Sequence, residues 1–158
     1  MTLKQTVVLQ QWLESRVAEL KKNVDKNFRA TGKTSDSIHY EIKGNDGFIL
    51  GSSILQFGEF GRGKTNNGSK PGKLRDIIRE WIDVKGIVPY DGISKDSLAY
   101  LITRKIHQEG IKVPNKYNAG AILSSVINQQ AVEELIKEFS DVYVGEFESE
   151  LLTVLNIE

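Results

Sequence analysis

The sequence contains no cysteine, so neither a disulfide framework nor a thiolate metal site can form. That suits a reducing compartment. It also lacks any stretch approaching the roughly 18 apolar residues of a membrane span, and Met1-Thr-Leu-Lys-Gln5 has no apolar run of the signal-peptide kind. A soluble protein, acting where it is made and with no membrane partner, is the expectation. Histidine is scarce. His39 and His107 lie far apart with no carboxylate or histidine at metal-ligand spacing, so each reads as a surface residue. There is no His-Glu-x-x-His, no acidic calcium loop and no nucleophile elbow. Glu41, Asp46 and Glu59 lie near one another in sequence, but that alone gives no paired-carboxylate chemistry. The expectation is a protein with no catalytic residue, cofactor or metal, and no enzymatic role.

A net charge is missing too, because 21 Lys and Arg balance 21 Asp and Glu. The charge is nevertheless segregated. Residues 121–158 hold only Lys137 against Glu133, Glu134, Glu138, Asp141, Glu146, Glu148, Glu150 and Glu158, so the preceding part is net basic. Such asymmetry marks either a solvated acidic helix face or a surface that meets a complementary partner.

What is present is enough for one domain. The chain has 158 residues, of which 39% are hydrophobic. Leu9, Leu13, Val17, Leu20, Val24 and Phe28 recur at steps of four and three, which predicts a helix over about residues 7–28. Arg29-Ala-Thr-Gly32 ends it. Ile38, Tyr40 and Ile42 then alternate with His39, Glu41 and Lys43, the pattern of a half-buried strand. Gly44-Asn-Asp-Gly47 predicts a turn, and residues 48–55 the returning strand of a hairpin. Residues 55–73 read as a glycine-rich loop containing Pro71. Helices follow over about 73–85, carrying Trp81, and from the cap Ser94 to Gln108. Trp12 and Trp81 are expected in or beside the core. Residues 111–121 read as irregular or a short strand. The acidic segment 122–158 is helical in pattern, with Val142-Tyr-Val-Gly145 leaving open one bent helix or two pieces with a strand between. The fold class is α+β: an N-terminal helix, a hairpin-based antiparallel sheet, two mid-chain helices and a long C-terminal helix.

One motif invites a nucleotide-binding reading. Gly58-Glu-Phe-Gly-Arg-Gly63-Lys64-Thr65 matches G-x-x-x-x-G-K-[ST]. That motif binds phosphate because a strand feeds the loop and a helix starts at the Lys-[Ser/Thr], presenting its free amides. Here Thr65 is followed by Asn-Asn-Gly-Ser-Lys-Pro-Gly, which cannot readily begin a helix, and no βαβ series surrounds it. The match is read as a coincidence, and a small nucleic-acid-binding module using the basic loop is kept as a further alternative.

Taken together, several phrases resemble the tail-completion and neck-protein family of tailed bacteriophages. They are Ala30-Thr-Gly-Lys-Thr-Ser-Asp-Ser-Ile38 leading into the hairpin, Leu55-Gln-Phe-Gly-Glu-Phe-Gly-Arg-Gly63, Trp81-Ile-Asp-Val-Lys-Gly86-Ile87, and Leu98-Ala-Tyr-Leu-Ile-Thr-Arg-Lys-Ile106-His-Gln-Glu-Gly110. The resemblance spans roughly residues 8–155, and it departs in the polar stretch 65–70 and the acidic tail. It implies a structural virion protein made in the host cytoplasm and forming an oligomeric ring in the neck or tail. Partners would be further copies, portal, neck or tail proteins, and genomic DNA passing through the lumen. The expected assembly surface is the aromatic and basic neighbourhood of Phe57, Glu59, Phe60, Arg62, Lys64, Lys73, Arg75 and Arg79. It would meet DNA or the acidic Glu133, Glu134 and Glu138 of an adjacent subunit.

Overall fold

The computed structural model describes residues 1–28, 31–65 and 72–155. The break expected at Arg29-Ala30, the polar run with Lys70, Pro71 and the terminal Glu158 lie outside the described residues. So does the side chain of Phe28.

Helix α1 spans Leu3–Phe28, a turn earlier than its apolar periodicity predicts. The reason is a capping box at Thr2 and Gln5. The Gln5 N–H donates to Thr2 Oγ1 at 3.3 Å, and the Thr2 N–H donates to Gln5 Oε1 at 3.0 Å. The stripe Leu9, Leu13, Val17, Leu20 and Val24 is buried as its spacing predicts. One short helical turn, α2 (Lys33–Asp36), follows Gly32, whose φ of 85° turns the chain back.

Strands β1 (His39–Lys43) and β2 (Asp46–Leu50) pair antiparallel, with His39 opposite Leu50 and Lys43 opposite Asp46. The hairpin lies across α1 so tightly that a side chain at Gly47 would come within 2.9 Å of Leu13 Cδ1. The second strand stops at Leu50 and not at Leu55 as its composition suggests. At Gly51 the alternation ends, the Ser52 N–H donates to Ser37 Oγ at 2.9 Å, and helix α3 (Ile54–Phe60) begins. Leu55 is buried from that helix beside Ile38. The expected loop over 55–73 is therefore helical at its start, because burial of Leu55 outweighs the poor helix propensity of Gly58.

Residues 61–65 are held against the end of a later helix. Arg62 and Ile111 exchange both backbone hydrogen bonds, at 2.8 and 2.7 Å, and the Thr65 N–H donates to the His107 carbonyl at 3.0 Å. Helices α4 (Gly72–Val84) and α5 (Lys95–Glu109) form an α-hairpin with Ile82 and Ala99 fully buried. The Ser94 hydroxyl caps α5 by accepting from the Ser97 N–H, as the sequence predicts.

The C-terminal segment is helical only from Gln129, in α6 (Gln129–Leu155). Before it, residues 122–127 turn inward and place Ile122 and Val126 in the core with Val17, Leu20, Val24, Ile38 and Leu55. The expectation of a helix from about 122 is corrected accordingly: two apolar side chains go into the core from a turn. Through Val142 and Gly145 the helix is continuous, which decides for one piece. The result is an α+β fold with a two-stranded antiparallel sheet.

Glycines 61 and 110 face each other across the 62–111 bridge with φ of +78° and +76°. A Cβ at Gly61 would lie 2.2 Å from the Ile111 carbonyl oxygen, and one at Gly110 would lie 2.3 Å from the Arg62 carbonyl oxygen. Gly61→Ala and Gly110→Ala are each expected to cost on the order of 3 kcal/mol, whereas Gly63→Ala, with open space around it, should be near neutral. Chemical denaturation of the three variants checks this; an unchanged midpoint for Gly61→Ala would contradict the bridge.

Candidate functional site

The residues expected at an assembly surface divide into two groups. Four of them, Glu59, Arg62, Arg79 and Glu134, have side-chain partners within the chain. The Glu59 carboxylate accepts from the Leu123 N–H at 2.8 Å, from the Ser124 hydroxyl at 2.5 Å and from the Ser124 N–H at 3.4 Å. It thereby ties α3 to the turn that fills the core, and the Asn118 amide adds a bond to the Gly58 carbonyl at 2.8 Å. Arg79 pairs with Asp83 and, at 3.0 Å, with Asp96, linking α4 to the start of α5. Lys95 approaches the same Asp83 at 2.7 Å, and chiefly its hydrogen bond holds that carboxyl below its ordinary range.

Phe57, Phe60, Lys64 and Lys73 are exposed, and the half-buried Arg62 donates from its guanidinium to the Thr65 hydroxyl at 3.4 Å. Phe60 at the end of α3 is 78% exposed, and Phe57 one turn earlier is exposed too, with the Arg62 guanidinium 5.9 Å from its ring centre. Beside them the outer face of the hairpin exposes Phe48 and Leu50, and Lys43 sits 5.9 Å from the Phe48 ring. Between β2, α3 and the 122–127 turn runs an open groove of about 450 Å3, with Leu20 and Ile38 at its floor and Leu50, Phe60, Leu123 and Ile127 on its walls. Lys73 and Arg75 stand on the first turns of α4, and Lys64 on the 61–65 segment, without an ion pair among the described residues. The arrangement has the chemistry of a protein-docking face: aromatic side chains, cations laid on two of them, and an apolar groove.

On the far helix, Glu133 and Glu138 are exposed, and Glu134 approaches Arg16 at 3.9 Å. Trp12 joins the two long helices, its indole N–H donating to the Ala131 carbonyl at 3.0 Å. Trp81 is less buried than expected. It lines a cleft with Val24, Ile54 and Ile77, and the adjacent Glu80 pairs with Lys33 at 2.6 Å. His39 is exposed on the outer strand face, and its Nδ1 lies 2.9 Å from the Ser37 carbonyl oxygen. His107, expected at the surface, is half-buried where its own carbonyl holds Thr65.

The 58–65 motif has none of the phosphate-loop geometry. Its first glycine lies inside α3 and not after a strand, the sheet has two antiparallel strands, and its Lys64 lies in the segment bridged to α5. Among the described residues no group of three or more His, Asp or Glu is placed to hold a metal, and no helix is long and apolar enough to cross a membrane. Comparison with family models, with curated proteins and with solved structures finds no match for the chain. What the sequence missed in this surface is Phe48 and Leu50. The signal was available: both stand out of phase with Ile49, on the face otherwise carrying His39, Glu41 and Lys43.

Burial pushes the Glu59 carboxyl upward, but the Ser124 hydroxyl and the N–H groups of residues 122–124 outweigh it and leave the acid stronger than usual. A folded-state value below the unfolded one stabilises the fold above the ordinary carboxylate range. That contribution is lost as pH falls through the lowered folded value. Glu59→Ala is expected to cost about 1–3 kcal/mol at neutral pH. The gap to the native chain should narrow on acidification, and urea unfolding at neutral and acidic pH measures both. A gap that widens in acid would sink this role for Glu59.

Proposed function

We propose that the chain is a non-catalytic structural subunit of the neck or tail of a tailed bacteriophage, assembling with further copies into a ring. The observation that carries the reading is the segregation of two unlike surfaces on one chain. The exposed rings of Phe57 and Phe60, with the Arg62 guanidinium beside Phe57, are carried by α3 and the segment after it, whereas the acidic residues are carried by α6. Head-to-tail rings require two different patches that meet on neighbouring copies, and opposite charge on the two steers them together and disfavours wrong pairings. The sequence phrases that resemble the tail-completion and neck family support the same role. They extend it to portal or tail proteins as neighbours and to DNA in the lumen.

Negative-stain microscopy and light scattering of the purified chain test the proposal directly: rings are expected, and a monomer at every concentration would overturn it. The triple variant Arg62→Glu, Lys64→Glu, Lys73→Glu should lose most of the assembly while keeping its helical circular dichroism. Intact rings from that variant would remove the basic face from the interface. Titration with ATP and magnesium is expected to release no heat, because Gly58 is helical where a phosphate loop needs a strand end.

A further inference from the structure

Helix α6 outruns the helix it packs on. Trp12 bonds the Ala131 carbonyl near its start, and Thr2, just ahead of α1, donates to the Glu146 carboxylate at 2.8 Å. Residues 147–155 project past that point by about 13 Å, and every one of them is exposed. Their composition is not that of a solvated helix end. Phe147, Leu151 and Val154 recur at steps of four and three and so share one face, exposed at 55%, 43% and 77%. Glu148 and Glu150 fall on either side of that face, each within about 100° of its centre. An apolar helix face left uncovered in its own chain marks an interaction surface.

A complementary surface lies at the C-terminal end of α5, where an open groove of about 600 Å3 runs between that helix and the segment after it. Ile102 and Ile106 line it from α5, Ile111 and Tyr117 from the following segment, and each side carries a lysine, Lys105 or Lys112. Lys105 lies 4.0 Å from Glu109, the carboxylate in the lining, whereas Lys112 has no ion pair among the described residues. From Arg104 to Tyr117 the chain carries Arg104, Lys105, Lys112 and Lys116 against Glu109. Tyr117 is held in place, because the Asn115 side chain accepts from the N–H groups of Tyr117 and Asn118 at 2.8 and 3.0 Å. That side of the groove is therefore formed before anything binds.

We propose that the projecting end of α6 docks in this groove on a second copy of the chain. The inference rests on the ring reading and names the two surfaces that meet. Isoleucines in the lining suit apolar side chains at i, i+4 and i+7, the helix-in-groove mode of recognition, and offer nothing to a phosphate backbone. A lysine on each side of the groove matches a carboxylate on each flank of the helix face, so charge and apolar contact select the same occupant. The groove also adjoins the face around Arg62, since Arg62 and Ile111 are bridged backbone to backbone. Helix end and groove are different surfaces, so each bound copy leaves one of each free and the contact propagates until it closes.

The chain has no cysteine, which makes cross-linking specific. Tyr117→Cys and Leu151→Cys, each introduced singly, should give a disulfide-linked dimer when mixed and oxidised, and far less when oxidised alone. Charge reversal gives an independent readout. Lys105→Glu with Lys112→Glu, and Glu148→Lys with Glu150→Lys, should each weaken self-association on the order of tenfold by sedimentation. All four substitutions in one chain should recover most of it. A missing mixed cross-link, or oligomers that form natively despite either reversal, overturns this contact and leaves the ring reading standing. Duplex DNA binding that the lysine reversal abolishes, with self-association unchanged, would give the groove to nucleic acid instead. A native chain that stays monomeric overturns both readings. Should a reversal lose helical circular dichroism, the cysteine pair decides alone.

Discussion

A sheet of two five-residue strands cannot cover two helices of 26 and 27 residues, and most of the architecture follows from that shortfall. Such a hairpin is roughly 17 Å long and 10 Å wide. Over their paired length, from Ala131 beside Trp12 to Glu146 beside Thr2, the helices present a layer about 25 Å long and nearly 20 Å wide. The hairpin therefore covers α1 alone, with Gly47 pressed on Leu9 and Leu13. Beyond its end the core is completed by irregular pieces: Leu55 from α3, and Ile122 and Val126 from the 122–127 turn. Among the described residues the outward apolar side chains of α6 stay uncovered, from 38% exposed at Val132 to 77% at Val154.

Closing a core with irregular pieces puts backbone polar groups where no ladder satisfies them, so each piece needs its own partner. Glu59 meets that need for the 122–124 turn and Asn118 for the end of α3. The Arg62–Ile111 bridge does so for the segment after α3. This explains a composition that reads as flexibility. Gly61 and Gly110 are required by two backbones in contact, with no room for a Cβ. A glycine-rich stretch and a pinned segment look alike in sequence, because the contact that distinguishes them, Arg62 with Ile111, is remote in the chain.

The same distinction separates what was legible from what was not. The buried stripe of α1, the hairpin, the Ser94 cap and the order of helices follow from periods and caps of the chain's own neighbourhood. The limits of β2 and the start of α6 do not. Each is decided by one apolar residue, Leu55 or Ile122, that gains more from the distant core than from continuing its local pattern. At the candidate surface, Phe57, Phe60 and Arg62 were readable as aromatics beside a cation. Glu59 was misjudged, since a carboxylate among such residues looks like part of the surface until its three donors from 123–124 are known. Which apolar side of α6 is covered is likewise not legible in the sequence, and only the bonds from Trp12 and Thr2 show it.

The zero net charge has a physical sense once the two surfaces are separated. A chain bearing one sign throughout would repel its own copies, whereas a neutral chain with separated poles attracts them in one orientation. That attraction is screened over about 10 Å at 0.1 M salt, so it orients the encounter more than it holds the product. Holding falls to apolar contact, which salt does not screen and to which each exposed side chain of Phe or Leu size contributes up to about 1.5–3 kcal/mol when fully covered. Both devices are at hand on this chain: α6 carries carboxylates together with exposed apolar side chains, and cations lie on the exposed rings of Phe48 and Phe57. A surface that carried charge alone would associate quickly and let go, and an apolar strip alone would pair with itself. Their combination makes a contact both oriented and durable, which is what the proposed closed ring of identical subunits demands of its interface.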